Sequence, residues 1–248
     1  MDRNSLAQAL EGLPLGLLVF YPKTGSTNDE AVKLAQAGGP DLSLVVADEQ
    51  TAGRVRFSRR WFTPQGTALA FSLVLFPHRT WEQSSAQSAG TILPRLTALG
   101  ALAVCDVLKV RYQLEAQIKW PNDVLVGRRK LAGVLAEAIW DGERLEAVVL
   151  GIGLNVASNS VPPPDELLFP ATCLEDCWMA PIDELKRLAL LRAILERILY
   201  WRVRISGVEF IQAWQANLAF LNEWVWIIPV QTEDAQRAIK ARILGLEV

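Results

Sequence analysis

"AQIKWPNDVLVGRRKLAGVLAEAIWDGERLEAVVLGIGLNV", residues 116–156, divides into three apolar segments at 116–126, 130–140 and 145–156. Gly127-Arg128-Arg129 separates the first two, and Asp141-Gly142, a strong hairpin dipeptide, separates the last two. Apolar segments joined by such short turns predict an antiparallel meander. Within the first segment Trp120 precedes a proline, which biases it to an extended conformation, and Pro121-Asn122-Asp123 favours a turn. Lys119 therefore stands at a strand end, placed to meet an anion. The alternative reading is an edge-strand lysine that blocks aggregation.

Upstream of the meander, "GLLVFY" reads as a strand and "STNDEAVKLAQAGG" as a helix, with Thr27 and Glu30 at the spacing of a capping box and the end at Gly38 and Gly39. "LSLVVADEQ" is a second strand, "TAGRVRFSRRWFTPQG" a long polar and basic loop, and "TALAFSLVLF" a third strand. Residues 84–109 suit a helix that Pro94 restarts or kinks. Downstream, "SVPPPDELLFPATCLED" is a connection, 182–204 and 208–219 have helical periodicity, and "EWVWIIPV" and "AIKARILGLEV" are strand candidates for a small β appendage.

With 248 residues, 51% of them hydrophobic and 21% charged, the chain can fold as one large domain or as a medium domain with an appendage. Its 25 basic and 27 acidic side chains leave a formal charge of −2, so no whole-chain positive field draws it to nucleic acid or anionic lipid. Any basic site must be local. Cys105, Cys173 and Cys177 are too few for a disulfide framework and, with His78 as the one histidine, make no zinc set. A reducing compartment fits best. The run "LPLGLLVFY" reads as a strand rather than a signal peptide, since Asp2 and Arg3 cancel before it and no small-residue cleavage site follows. No run approaches a membrane span, and the expected location is cytoplasmic.

Three further features bear on chemistry. Arg54, Arg56, Arg59 and Arg60 crowd one stretch between Gly53 and Trp61, and a guanidinium fork matches phosphate oxygens; a solvated basic loop or a nucleic-acid patch is the alternative. "GIGLNV" lacks the third glycine of a dinucleotide fingerprint, so its glycines read instead as a place where a ligand or another backbone comes close. "STN" at Ser26 to Asn28 is explained by helix capping, although a helix N-terminus also offers N–H groups to an anion.

Taken in order, "STN", "DEQTAGRVRFSRRWFTPQG", "KWPNDV", "KLAGVLAE", "GIGLNV" and "ATCLED" resemble the motif series of the biotin protein ligases, from Ser26 to about Asp176. The resemblance implies an α+β fold, a mixed, largely antiparallel sheet flanked by helices as in the class II aminoacyl-tRNA synthetases. A catalytic domain would span 1–219, and 220–248 would form a short, incomplete SH3-like β appendage. It implies joining of biotin and ATP, with Mg2+, into biotinyl-5′-AMP, then transfer to a lysine of the biotin carboxyl carrier domain of acetyl-CoA carboxylase. It assigns Lys119 to the biotin carboxylate and α-phosphate, and Arg54, Arg56 and Arg59 to a loop folded over the adenylate. Ser26, Thr27, Gln50, Gly53 and Gly133 fall on biotin-pocket positions. Trp61 packs under the loop, and Asn122 and Asn155 lie near the nucleotide. No metal ligand is assigned. Val55 and Ser58 stand where the family loop has glycines, which, if positive φ is needed there, predicts a less closed loop that leaks adenylate. Too few residues precede the first strand for a DNA-binding domain, so no nucleic acid and no membrane are expected; a homodimer through the meander is open. The rival readings are a lipoate or octanoate ligase or transferase of the same fold, and a biotin-binding protein that has lost transfer.

Overall fold

The computed structural model describes residues 1–55, 60–77, 89–167, 169–228 and 238–246. Seven strands make the main sheet: β1 (Leu18–Tyr21), β2 (Leu44–Ala47), β5 (Ala68–Leu75), β6 (Ala116–Lys119), β7 (Asp123–Val126), β8 (Arg129–Asp141) and β9 (Arg144–Asn155). Their order is β1-β2-β5-β9-β8-β7-β6, with β1 and β2 parallel and every other pair antiparallel. The meander is present, but its first segment is two strands, because the turn at Trp120 to Asn122, with a cis Trp120–Pro121 bond, folds β7 back on β6.

All eight residues of β5 are buried, as befits a central strand covered on both faces. Alternation sends Leu69, Phe71, Leu73 and Leu75 into the main core, which is filled from the other side by α3 (Ala89–Tyr112) and α5 (Glu184–Arg202). The opposite face carries a smaller cluster, Val45, Val74, Ala147 and Val149, beneath Ala31 and Ala35 of α2 (Thr27–Gln36). Beyond that cluster the same face of β8 and β9 presents Gly133, Gly151 and Gly153. The helices α1 (Arg3–Ala9), α4 (Leu174–Trp178) and α6 (Val208–Ala216) complete the layer. α3 runs on through Pro94, where one lost backbone bond is outweighed by burial of Leu96, Leu99 and Leu102. Its expected first residues, 84–88, lie outside the described residues, as does His78.

Three expectations are corrected. The long basic loop is a β-ribbon: β3 (Gln50–Arg54) pairs with β4 (Arg60–Thr63) as a separate two-stranded sheet, so Gly53 faces Trp61 and Arg54 faces Arg60. The capping box of α2 does not form. The N-cap is Ser26 with no side-chain cap bond, and the amide of Thr27 donates instead to Gln50 Oε1 at 2.8 Å. Glu30 is drawn away by Tyr21 and Lys33. Finally, Val55 is not among the non-glycine residues with positive φ, so the strain expected of a side chain there does not arise. Ser58 lies outside the described residues.

The outer edge of β6 is partly covered. Ile118 donates to the Asn217 carbonyl and accepts from the Ala219 amide, so the chain after α6 runs parallel beside it. The antiparallel pair β10 (Trp224–Ile227) and β11 (Ile239–Arg242) follows, with Trp224 and Trp226 exposed. Among the described residues no helix is long and apolar enough to cross a membrane.

Candidate active site

Strand register builds the site. Lys119 pairs with Asp123, Asp123 with Gly133, Gly133 with Gly153, and Gly153 with Ala70, so these residues form one row across five strands. Cross-strand neighbours share a face. The row therefore joins a cation and a carboxylate at one end to a glycine floor in the middle, and Lys130 of β8 reaches the same carboxylate from outside the row.

The floor needs to be glycine because something lies on it. A Cβ at Gly153 would sit 2.5 Å from the Trp61 indole, and one at Gly133 would sit 3.1 Å from the same ring. At Gly151 it would be 2.0 Å from Asn28 Oδ1. The close approach expected of "GIGLNV" is thus by an indole and an amide. Between Trp61, the floor and the start of α2 there remains a cavity of about 30 Å³, room for a water or two. Trp61 Nε1 is buried beside it without a hydrogen-bond partner.

One wall is polar. Gln50 Oε1 accepts from the Thr27 amide and lies within hydrogen-bond reach of its hydroxyl, while its Nε2 donates to Thr63 Oγ1. Ser72, on β5, lies 2.6 Å from Asn28 Oδ1 and 2.8 Å from Thr27 Oγ1. Ser72 and Thr27 have one hydroxyl proton each, so Ser72 donates to Asn28, and Thr27 donates either to Ser72 or to Gln50 Oε1, which keeps the Thr27 amide in both cases. Asn28 Nδ2 then donates to Glu137 Oε2 at 2.6 Å. Ser26 is buried at the same wall, and its hydroxyl makes no side-chain hydrogen bond.

Two charge clusters flank the floor. Asp123, 8% exposed, accepts from Lys130 Nζ at 2.6 Å and Lys119 Nζ at 3.0 Å. Burial pushes its carboxyl up, but Lys130 and then Lys119 outweigh that and hold it below the usual carboxylate range. Two ammonium groups and one carboxylate leave one net positive charge. Lys130 Nζ lies over the Trp61 ring at 5.3 Å, and Lys119 Nζ over Phe169 at 4.9 Å. At the other side Arg54 binds Asp29 at 2.8 Å and Glu137 at 2.7 Å, which leaves one net negative charge.

The structure thus brings together Ser26, Thr27, Gln50, Gly53, Arg54, Trp61, Gly133 and, along the row, Lys119. Arg56 and Arg59 lie outside the described residues. Asn122 braces the β6–β7 turn to β8, donating to and receiving from the Val134 backbone, and borders a second hollow with Leu93, Pro94 and Trp120 that adjoins the first at Val134 and Leu135. Asn155 is buried and donates to the Thr172 carbonyl. The sequence reading did not pick out Asn28, Ser72, Asp123, Lys130 or Glu137. Lys130, Asp123 and Glu137 sat inside quoted motifs, but only pairing shows which of them face the floor.

The Biotin/lipoate A/B protein ligase family matches residues 20–155. The chain belongs to that family. Among its relatives, the biotin--[acetyl-CoA-carboxylase] ligase of Paracoccus denitrificans is 42% identical over 210 residues, covering 81% of this chain and 80% of that one. The bifunctional ligase/repressor BirA of Bacillus spizizenii is 37% identical over 166 residues, 67% of this chain and 48% of that protein, so the chain spans about half the length of this relative. Among solved family members, the biotin protein ligase from Aquifex aeolicus in complex with biotin and ATP superposes with a TM-score of 0.72 at 26% identity, covering 93% of this chain and 88% of that one. The fold is therefore that of the biotin ligases, mixed and largely antiparallel, with a small antiparallel strand pair near the end.

Proposed function

We propose that the chain biotinylates a lysine of a carboxyl carrier domain in two steps, through biotinyl-5′-AMP. The observation that carries the reading is the row from Lys119 through Asp123 to Gly133 and Gly153: a net positive cluster beside a glycine floor that takes a flat ring against its backbone, as it takes the Trp61 indole here. Support comes from the Aquifex relative, which was solved with biotin and ATP.

In the first step a biotin carboxylate oxygen attacks the α-phosphorus of ATP, the bond to the β-phosphate breaks and pyrophosphate leaves. Two anions must meet, so fixed cations lower the barrier by holding charge that develops in the transition state. Lys130 and Lys119 serve here, with Asp123 fixing both ammonium groups. The ureido ring lies against Ser26, Thr27 and Gln50, whose neighbours already satisfy one another and leave the Ser26 hydroxyl to the ligand. Gly53 and Gly133 keep the pocket thin, and Trp61 closes it against water. Asn122 and Asn155 flank the nucleotide side, and Arg56 and Arg59 lie on the covering loop. In the second step the neutral carrier amine attacks the acyl carbon, AMP departs, and the amine proton is lost to solvent.

Among the described residues no three metal-ligating side chains converge. Mg2+ needs only one or two protein oxygens beside the phosphates, and we read it as arriving with the triphosphate. We read 1–219 as the catalytic unit and 220–248 as its appendage, and the chain as a cytoplasmic protein, in keeping with three free cysteines.

Mass spectrometry of the protein incubated with biotin, ATP and Mg2+, without carrier, tests the first step; biotinyl-adenylate is expected, and later carrier should gain a biotinyl mass on one lysine. Biotin bound without adenylate would replace the ligase with a binding protein. Adenylate formed from lipoate or octanoate but not biotin would move the chain to the other branch of its family.

A further inference from the structure

We infer that Arg54 is not a phosphate ligand but a positioning residue, whose guanidinium clips the β3–β4 ribbon to α2 and β8 across the mouth of the cleft. The argument begins with the ribbon. A two-stranded sheet has little stability alone and depends on what ties it to the rest of the molecule. One end of β3 is tied by backbone bonds, Thr51 N–H to Thr24 and Ala52 N–H to Gly25, and by Gln50. The other end has Arg54. Its Nη1 donates to Asp29 in the first turn of α2, and its Nη2 reaches Glu137 on β8. Three elements meet at one guanidinium, whose rigid fork gives each carboxylate its own terminal nitrogen.

Pairing argues against the other role. Both terminal nitrogens of Arg54 are already engaged, Nη1 by Asp29 and Nη2 by Glu137, so the guanidinium has no free fork to present to a phosphate. The net positive cluster is at Lys119 and Lys130, at the other side of the floor. Glu137 is also fixed from behind: its second oxygen accepts from Asn28, which Ser72 holds in turn, and Gly151 has no Cβ to obstruct that amide. The clip is thus anchored in the sheet. Opening it to free Arg54 would leave Glu137 unpaired on that side, beside Asn28.

Arg54 and Asp29 are each nearly half exposed, so the clip is modest in strength and acts on how long the ribbon stays down. The consequence for a ligand rests on the biotin-ligase reading; the consequence for the ribbon does not. Hydrogen exchange of the β3 and β4 amides in the full-length, ligand-free protein is therefore measured beside biotin affinity and adenylation kinetics. For Asp29→Asn, Glu137→Gln and Arg54→Lys, exchange of these amides is expected to rise about three- to tenfold, with the Arg54→Lys/Glu137→Gln double variant no worse than its worse single. The biotin dissociation constant and the rate of adenylate escape should rise by the same factor, with kcat at saturating biotin and ATP falling no further in Arg54→Lys than in Glu137→Gln.

A loss of kcat near a hundredfold in Arg54→Lys alone, with the carboxylate variants exchanging and binding like the parent, would return Arg54 to the phosphate. Unchanged exchange in every variant would also overturn the clip, whatever the kinetics. Raised exchange in a protein that makes no adenylate would sink the ligase reading and leave the clip standing.

Discussion

Trp61 and Gly153 illustrate how much a single atom decides at this site. The indole already lies where a Cβ would be, 2.5 Å away, so Gly153→Ala cannot keep the ring in place. The expected outcome is a displaced Trp61, biotin binding weakened at least tenfold, and about 1–3 kcal/mol lost from stability through overpacking, read by calorimetry and urea unfolding. The lysines act differently. Lys119→Ala and Lys130→Ala should each lower adenylation by about 10²–10³, the usual loss for one transition-state donor, in single-turnover assays; a change below tenfold would remove that lysine from the chemistry. Asp123 links them to pH. Its folded-state pKa is depressed, so its contribution to stability is present above the unfolded value of about 3.9 and is lost as pH falls through the lower folded value. Asp123→Asn should therefore be less stable than the parent by a constant amount above about pH 5, with the gap closing in acid unfolding curves as pH falls below about 4.

At the scale of elements, the start of α2 depends on a strand that is not its neighbour in the sheet. A helix N-terminus leaves its first amides without partners, and Gln50 from β3 supplies the acceptor that Ser26 does not. Gln50→Leu should thus cost about 1–2 kcal/mol by urea unfolding, comparable to removal of an N-cap, whereas Gln50→Glu, which retains the acceptor, should cost less. The capping spacing of Thr27 and Glu30 was legible and misleading. It shows what local pattern permits, and Tyr21 and Lys33 claim Glu30 only in the folded chain. The basic stretch misled in a similar way: Gly53 and the arginines suggest a loop, yet Gln50 to Arg54 and Arg60 to Thr63 pair, because tertiary pairing overrides a weak local preference.

Across the whole molecule, α5 is fastened to the sheet and to α3 by arginine–carboxylate pairs. Arg187 meets Asp48 and the Ala68 carbonyl in the interior, and Arg197 and the Trp201 indole N–H share Asp106. Removing Arg187 leaves buried Asp48 with only the Met1 ammonium at 3.8 Å, so Arg187→Ala should destabilise by about 3 kcal/mol, the low end for a broken buried pair, in thermal or urea unfolding. That helix also backs the core under β5 and β9, so the same variant should loosen the glycine floor and show faster amide exchange in β9. A variant that unfolds like the parent would mean that the Arg187–Asp48 pair adds nothing net to the hold on this helix.

Apolar segments, breakers and motif residues are local properties, and they were enough to place β1, the meander, the last two long helices and the strand-end lysine and strand glycines. They could not say which residues share a face. Asn28 and Glu137 are 109 positions apart, and Lys119, Gly133 and Gly153 form a row only because three successive pairings hold one register. A shift of one residue in any of them would turn its strand's side chains to the other face. Hydrogen-bond pairing between distant strands thus set the order of charges around the floor, a net positive pair of lysines at one end and a clipped arginine at the other, and no reading of neighbours along the chain contains it.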